Sequence, residues 1–259
     1  MCSNKSRKQL QESINQTKAA VIEFQLLARE DWKNKLSPEE YVVFLYWANK
    51  ATNHLLAVIA LCEADMREDL IASKYELVPI ANIHYRQMVE LFLQVKYLAK
   101  IEKNERPHFA EKAVAFGVVE YLRKMEIFRD DEFAQKGISE MEERLKYFSP
   151  EIIQEIQDEK RFYWFGKSFS QLASEVSTTD NDFKALYGLV SAHAHGIWDI
   201  ILGVSNPQDS VLRISQYQNK NQKADFGRLL IEEATIMFRQ TWNAIAVAVG
   251  APLMIYKLD

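Results

Sequence analysis

The scarcity of glycine and proline is the feature of this sequence that most constrains its fold. The 259 residues include only 8 glycines and 6 prolines. Sandwiches, barrels and doubly wound sheets need turn residues at short intervals, and this chain supplies too few of them. It also lacks glycines at the fixed short spacing of a P-loop, a dinucleotide-binding fingerprint or a nucleophile elbow. The composition therefore predicts an all-α protein built from long helices.

Apolar residues recur at helical spacing along most of the chain and predict a single multi-helix bundle of about eight or nine helices. Ser37, Pro38 and Glu40 predict a capped helix start, and Gly250 with Pro252 predicts the end of the last helix. The longest predicted loop covers residues 205–222, and residues 211–214 within it could form a short strand. The predicted helices cover residues 6–33, 37–64, 79–101, 106–129, 130–147, 149–160, 181–204 and 225–249.

The sequence predicts one helical domain in three parts, because no repeat, low-complexity tract or clear linker interrupts it. Residues 1–36 form an N-terminal helix packed on the core. Residues 37–204 form the core itself. Residues 205–259 add a loop and a C-terminal helix that complete the bundle.

Charge, cysteine content and hydropathy indicate in which compartment the protein works and which partners it lacks. The net charge of −4 argues against a chain that coats nucleic acid, although a local basic patch is compatible with it. Cys2 and Cys62 do not make a disulfide framework and are expected to be reduced thiols. The start of the chain has no apolar signal segment, and the apolar residues 242–255 are interrupted by Gly250 and Pro252. We expect a cytoplasmic protein that does not contact a membrane.

Arg86 and Glu90 lie one turn apart in the predicted helix 79–101, among apolar side chains. A charged pair in such a helix should be partly buried, and buried charges need partners. One interpretation is a salt bridge that also holds a neighbouring helix. The other is that Glu90 orients Arg86 towards an anionic ligand.

A second polar set lies in the predicted helix 181–204, where Tyr187, Ser191, His195 and Asp199 follow each other at four-residue intervals. Asp199 could hydrogen-bond the imidazole of His195 and raise its pKa, which is how a general acid or base is commonly prepared. The alternative is an interior polar network that fixes the register of the helix. A nucleophile triad is excluded, because one straight helix provides no oxyanion hole.

The other histidines indicate no metal site. His193 and His195 point to different sides of a helix, and the only Glu-x-x-His spacing, Glu105–His108, lies at a predicted helix entrance. We therefore predict no metal and no cofactor. His54 and His84 are predicted to be lone, structural histidines.

Three segments carry a resemblance to a known family. The string YGLVSAHAHG at 187–196 resembles the Tyr-x3-Ser-x3-His-Gly motif of a bacterial family catalogued as domain of unknown function 5677. The string WFGKS at 164–168 is similar to that family's Trp-x-Gly-Lys-Ser segment, and RQMVE at 86–90 is similar to its Arg-x3-Glu helix. The three matches keep the order of the family.

The resemblance implies a core related to HEPN domains, with helices added at both ends. HEPN proteins are often dimeric, metal-independent ribonucleases of toxin–antitoxin and anti-phage systems. Their arginine usually lies four to six residues before the histidine, whereas here Arg86 would have to reach His195 through the fold. The resemblance would make His195, Arg86 and Glu90 the catalytic residues. The binding or orienting residues would be Tyr187, Ser191, Asp199, Trp164 and Lys167.

Two functions are therefore open. The first is a HEPN-like ribonuclease in phage defence or stress, in which the RNA supplies its own 2′-hydroxyl nucleophile. The second is a non-catalytic helical binding or interaction module in which the polar residues are structural. Expected partners are RNA or another anionic ligand, a second copy of the chain, or a protein of a defence system. The aromatic run 162–165 could stack a base or plug the end of the core. A local basic patch could come from Lys160, Arg161, Lys167, Arg213, Lys220 and Lys223.

Overall fold

The computed structural model describes residues 4–27, 32–65, 78–158, 163–176 and 220–251. These residues form nine α-helices and one short 3-10 helix, and they contain no strand. The all-α prediction is thus confirmed. The helices are α1 Asn4–Leu27, α2 Trp32–Lys35, α3 Pro38–Asp65, α4 Val78–Lys100, α5 Arg106–Met125, α6 Glu132–Leu145, α7 Pro150–Asp158, α8 Phe169–Val176 and α9 Lys220–Val249, with the 3-10 helix at Glu126–Phe128.

The long helices α3, α4 and α9 pack against one another and form the centre of the bundle. α1 lies on α9, α5 on α3, and α8 on α4, while α6 and α7 pack on α5. The central side chains are large and fully buried, which is where apolar burial stabilises the fold most. They include Phe44, Leu55, Leu93, Phe238 and Ile245. No described helix has both the length and the apolarity needed to cross a membrane.

Local signals in the sequence set both ends of this core. The Ser37 hydroxyl accepts from the Glu40 N–H at 3.2 Å, and the Glu40 carboxylate accepts from the Ser37 N–H at 2.8 Å, which is the predicted capping box. α9 ends at Val249 and is followed by Gly250, whose φ of 64° is left-handed. The Ala251 N–H then reaches the Ala246 carbonyl at 2.8 Å, as in a Schellman motif.

The structure differs from the predictions at the end of α5, which stops at Met125 and not at residue 129, at the start of α9, and at α8. α9 begins at Lys220, so residues 220–222, predicted to belong to a loop, are helical, and the rest of that predicted loop lies outside the described residues. α8 was not predicted, although the sequence contains its start signal. The Ser168 hydroxyl accepts from the Gln171 N–H at 3.2 Å, and the Gln171 side chain accepts from the Ser168 N–H at 2.9 Å. This is a second capping box, with glutamine in place of glutamate.

Arg106, at the start of α5, is a buried cation that joins three helix ends. Its guanidinium donates to the Ile101 carbonyl just after α4, at 3.3 Å from Nε, and to the Ala248 carbonyl near the end of α9, at 3.0 Å. It also lies 3.5 Å from the carboxylate of Glu40 at the start of α3. A positive charge is stabilising near the carbonyl end of a helix. Arg106 therefore fixes how α3, α4, α5 and α9 meet.

Candidate functional site

The structure brings Arg86 and Glu90 into direct contact on α4. Arg86 Nε donates to Glu90 Oε1 at 2.9 Å, and the two side chains are only 19% and 10% exposed. Gln87 Nε2 donates to the other carboxylate oxygen at 3.3 Å. Both oxygens of Glu90 are therefore held by side chains of its own helix, as the spacing of one turn allows.

Gln94 continues this set one turn further along α4, and the sequence reasoning missed it. Its amide nitrogen lies 3.4 Å from the Glu90 carbonyl, and its amide oxygen accepts from the indole N–H of Trp164 at 2.9 Å. Arg86, Glu90 and Gln94, here called the α4 polar row, follow each other at four-residue intervals on one side of the helix. That spacing is a signal that could have found Gln94. The row connects two of the three segments that resemble the family, since Trp164 belongs to the second.

Trp164 and its neighbours close one end of the core. Trp164 and Phe165 are 3% and 4% exposed. The ring centroid of Trp164 lies 5.8 Å from that of Trp47 on α3 and 5.8 Å from that of Tyr97 on α4. Phe165 meets Phe169 edge to face, with ring centroids 5.4 Å apart. The interpretation of the aromatic run as a plug of the core fits this packing, because rings at these separations and angles stabilise one another.

Lys167 lies beside the same aromatic cluster. Its ammonium is 5.2 Å from the centroid of the Tyr97 ring, within the range of a cation–π contact. A hydrogen bond from Lys167 to Glu175 raises the pKa of the lysine, so its charge is retained at neutral pH. Trp164 and Lys167, both predicted binding residues, thus meet at Tyr97.

Tyr163 lies beside the α4 polar row and keeps 42% of its surface exposed. Burial of part of the ring raises the pKa of its hydroxyl, the nearby charge of Glu90 raises it further, and Arg86 opposes the shift. The sequence placed Tyr163 in the irregular aromatic run 162–165, which was predicted either to stack a base or to plug the core.

The other predicted site residues, His195, Tyr187, Ser191 and Asp199, lie outside the described residues. The same holds for Lys160, Arg161 and Arg213 of the predicted basic patch and for residues 211–214. Lys220 and Lys223 belong to the first two turns of α9. The described part of the site is thus the α4 polar row with Trp164, Tyr163 and Lys167.

His54 and His84 are not lone histidines, so that expectation was wrong. His54 on α3 and His84 on α4 face each other, with their Nδ1 atoms 3.0 Å apart. Burial lowers the pKa of His54 to about 4, and the charges of Lys50 and His84 add to the effect. The sequence could not show this pair, because the two residues belong to different helices. Within the described ranges, no three His, Cys, Asp or Glu side chains are grouped closely enough to hold a metal ion.

The α4 polar row places the Arg86–Glu90 ion pair and the hydrogen-bonded amide of Gln94 among packed apolar helices. The positive charge of Arg86 is balanced by Glu90 at contact distance. Tyr163, which is 42% exposed, is an accessible side chain beside the row. Each of these groups is held by packing or by a hydrogen bond, which suits precise positioning of a polar network.

Comparison with known proteins places the chain in a family. A protein-family model described as a family of unknown function (DUF5677) matches residues 41–209, more than half of the chain. The match includes all three segments that carried the resemblance, which is thereby confirmed. No curated protein and no solved structure matches the chain.

Proposed function

This chain belongs to the DUF5677 family of unknown function, and from that premise we propose that it is a non-catalytic helical interaction module. The observation that carries the proposal is the internal pairing of Glu90. Its side chain is 10% exposed, and both carboxylate oxygens accept hydrogen bonds from Arg86 and Gln87. The opposite charges of Arg86 and Glu90 balance each other inside the helix packing, so the pair needs no anionic ligand and can serve the fold alone.

The binding surface of the module is proposed to be the turn between α5 and α6, here called the acidic tip. Ile127 is 82% exposed, Phe133 97% and Phe128 49%. Exposed apolar side chains grouped in this way mark interaction sites in soluble proteins. Residues 126–133 carry four acidic side chains, Glu126, Asp130, Asp131 and Glu132, and one basic side chain, Arg129, which pairs with Glu126. The remaining negative charge favours a partner segment with basic and apolar side chains and disfavours nucleic acid.

A peptide-binding experiment tests the acidic tip. The probe is a fluorescent amphipathic helical peptide with leucines on one face and lysines on the other. The matched probe carries glutamate in place of each lysine. We expect the lysine peptide to bind, the glutamate peptide to bind at least tenfold more weakly, and Phe133→Ser with Ile127→Ser to abolish binding. The matched control is Tyr147→Ser, which changes a side chain that is 86% exposed at the other end of α6. Equal binding of both peptides, or no effect of the tip variants, contradicts the proposal.

A second candidate function is the metal-independent HEPN-like ribonuclease. It is favoured by Arg86, which keeps 19% of its side chain exposed next to the accessible Tyr163. In this function His195 is the general acid or base, Arg86 stabilises the phosphate charge, and Glu90 orients Arg86.

Cleavage of RNA in the presence of a chelator separates the two functions. For an interaction module, the wild-type chain leaves RNA intact, and Arg86→Gln and Glu90→Gln lower the melting temperature. For a ribonuclease, the wild-type chain cleaves RNA, and His195→Ala abolishes cleavage while the melting temperature is unchanged. Arg123→Gln on the exposed side of α5 is the matched control for the loss of one arginine charge.

A further inference from the structure

The outer side of α3 carries a continuous line of uncharged side chains. Every residue on this line is exposed, although α3 is buried on its other sides against α4, α5 and α9. Tyr46 is 60% exposed, Val42 53% and Leu56 40%. The six residues, here called the α3 seam, are Val42, Tyr46, Asn49, Asn53, Leu56 and Ala60.

The spacing of the α3 seam is that of a helix-pairing surface. Its members alternate between intervals of four and three residues, which is the heptad spacing that keeps one side of a helix facing another helix. The solvent-facing side of a bundle helix is normally rich in charged residues. The seam has six uncharged positions in a row, over about five turns and a length of about 27 Å. A side of a helix that only met water would be expected to carry charged residues at some of these positions.

We propose that the α3 seam is covered by the α3 seam of a second copy of this chain, in an antiparallel arrangement about a two-fold axis. The order of residue types supports this occupant, because the seam is symmetric about its midpoint between Asn49 and Asn53. Antiparallel pairing sets Val42 against the partner's Ala60 and Tyr46 against the partner's Leu56. A two-fold contact of this kind uses the same surface on both copies, and the six seam residues can pair with themselves in this way. Glu39 and Glu63 follow at the two ends of the seam, where Lys18 pairs with Glu63, and Lys50 lies at its edge near the axis.

The two asparagines give the pairing its register. Antiparallel pairing places Asn49 opposite the partner's Asn53, twice across the axis, so that two amide pairs form in the middle of an apolar seam. A side-chain amide both donates and accepts, so such a pair satisfies itself. A shift by one turn would bury the amides against apolar side chains without partners, which is costly.

The surface beside the seam extends the contact. α4 packs on α3 and presents Ile80 and Ile83, which are 44% and 46% exposed, near His84 and its contact with His54. A stable interface of standard size takes about 800 Å² from each partner. A single helical seam with two flanking isoleucines is a small contact, so the dimer is expected to dissociate on dilution. The inference is separate from the proposed binding at the acidic tip, which lies on α5 and α6.

The oligomeric state in solution tests the proposal. Sedimentation or light scattering should show a dimer at about 100 μM that becomes monomeric on dilution towards about 1 μM, a range typical of weak association. Tyr46→Glu and Leu56→Glu should each give a monomer at the highest concentration, with unchanged helical circular dichroism. The matched control is Val247→Glu on α9, where the side chain is 61% exposed, and it should remain dimeric. A wild-type chain that is monomeric throughout overturns the proposal, and so does a dimer that either seam variant leaves intact.

Cysteine cross-linking tests the direction of the pair in a Cys2→Ser background. A mixture of Val42→Cys and Ala60→Cys chains should form a disulfide-linked heterodimer under mild oxidation. Neither variant should link to itself, because in the antiparallel pair identical positions lie about 27 Å apart along the axis. Efficient linking of either variant with itself, without linking in the mixture, would overturn the antiparallel arrangement.

Discussion

Trp164 donates its indole N–H to the side-chain oxygen of Gln94 at 2.9 Å, and the two residues are 70 positions apart in the sequence. The hydrogen bond connects the aromatic segment that precedes α8 to the polar row of α4. Because Trp164 is almost fully buried, the indole nitrogen depends on Gln94 for its partner. Buried polar groups without a partner are strongly destabilising, so this contact should be visible in stability.

Replacing Gln94 with leucine should lower the free energy of unfolding by about 1–3 kcal/mol, the usual cost of leaving a buried donor unsatisfied. The matched control is Gln154→Leu on α7, an exposed glutamine that hydrogen-bonds Asp158 at 2.8 Å. The control should change stability by less than about 0.5 kcal/mol, as surface substitutions usually do. Chemical denaturation measures both. Equal stabilities of the Gln94→Leu and wild-type proteins would show that the hydrogen bond does not support the fold.

Replacing Arg106 with leucine should destabilise the protein by about 3–5 kcal/mol, because it leaves the carboxylate of Glu40 buried without its ion-pair partner. It also removes the donor to the Ala248 carbonyl at the end of α9. The double variant Arg106→Leu with Glu40→Gln should recover part of the loss, since the buried charge is then absent.

Arg123→Leu is the matched control for Arg106, because Arg123 is exposed and pairs only at the surface with Glu120. We expect a change below about 1 kcal/mol for this exposed pair. If Arg106→Leu lowered the free energy of unfolding no more than Arg123→Leu, the contacts of Arg106 with the helix ends would not contribute to stability.

The contact between His54 and His84 predicts a loss of stability in acid. The pKa of His54 falls from 6.5 to about 4 on folding, chiefly through burial. Below pH 6.5, His54 therefore binds a proton in the unfolded chain, whereas in the folded chain it binds one only near pH 4. The contribution to stability is complete above pH 6.5 and is lost progressively as the pH falls to 4.

Urea unfolding at several pH values between 7 and 4 measures this effect. His54→Gln should make the decline of the unfolding free energy between pH 6.5 and 4 shallower. His108→Gln provides the control, because His108 is 48% exposed and lies beside Glu155 at the surface. A decline that is equally steep in wild type and His54→Gln would mean that other groups cause the acid sensitivity.

Helix ends in this protein could largely be predicted from the sequence because each depends on residues three or four positions apart. The box of Ser37 and Glu40 and the left-handed Gly250 were predicted and are present. The box of Ser168 and Gln171 uses the same signal, with glutamine as its last residue, and was missed. Helix spacing likewise placed Arg86 and Glu90 in reach of each other.

Contacts between helices could not be derived in this way. His54 and His84 each have an ordinary helical neighbourhood, and only the packing of α3 on α4 sets their rings face to face. Gln94 carried no distinguishing signal except its spacing from Glu90, and its partner Trp164 comes from a segment without regular structure. Ion pairs and hydrogen bonds of this kind depend on the angle and offset between helices, which many side chains determine together.

The sequence by itself determined the helical class, most helix ends and the membership of the family, because these depend on composition, local spacing and short motifs. Tertiary structure alone decided that Arg106 would join three helix ends, that the Glu90 side chain would be buried, and that one line of α3 would be left exposed. Which side of a helix meets water depends on every helix that packs around it. The α3 seam could be recognised only after α4, α5 and α9 had covered the remaining sides of α3.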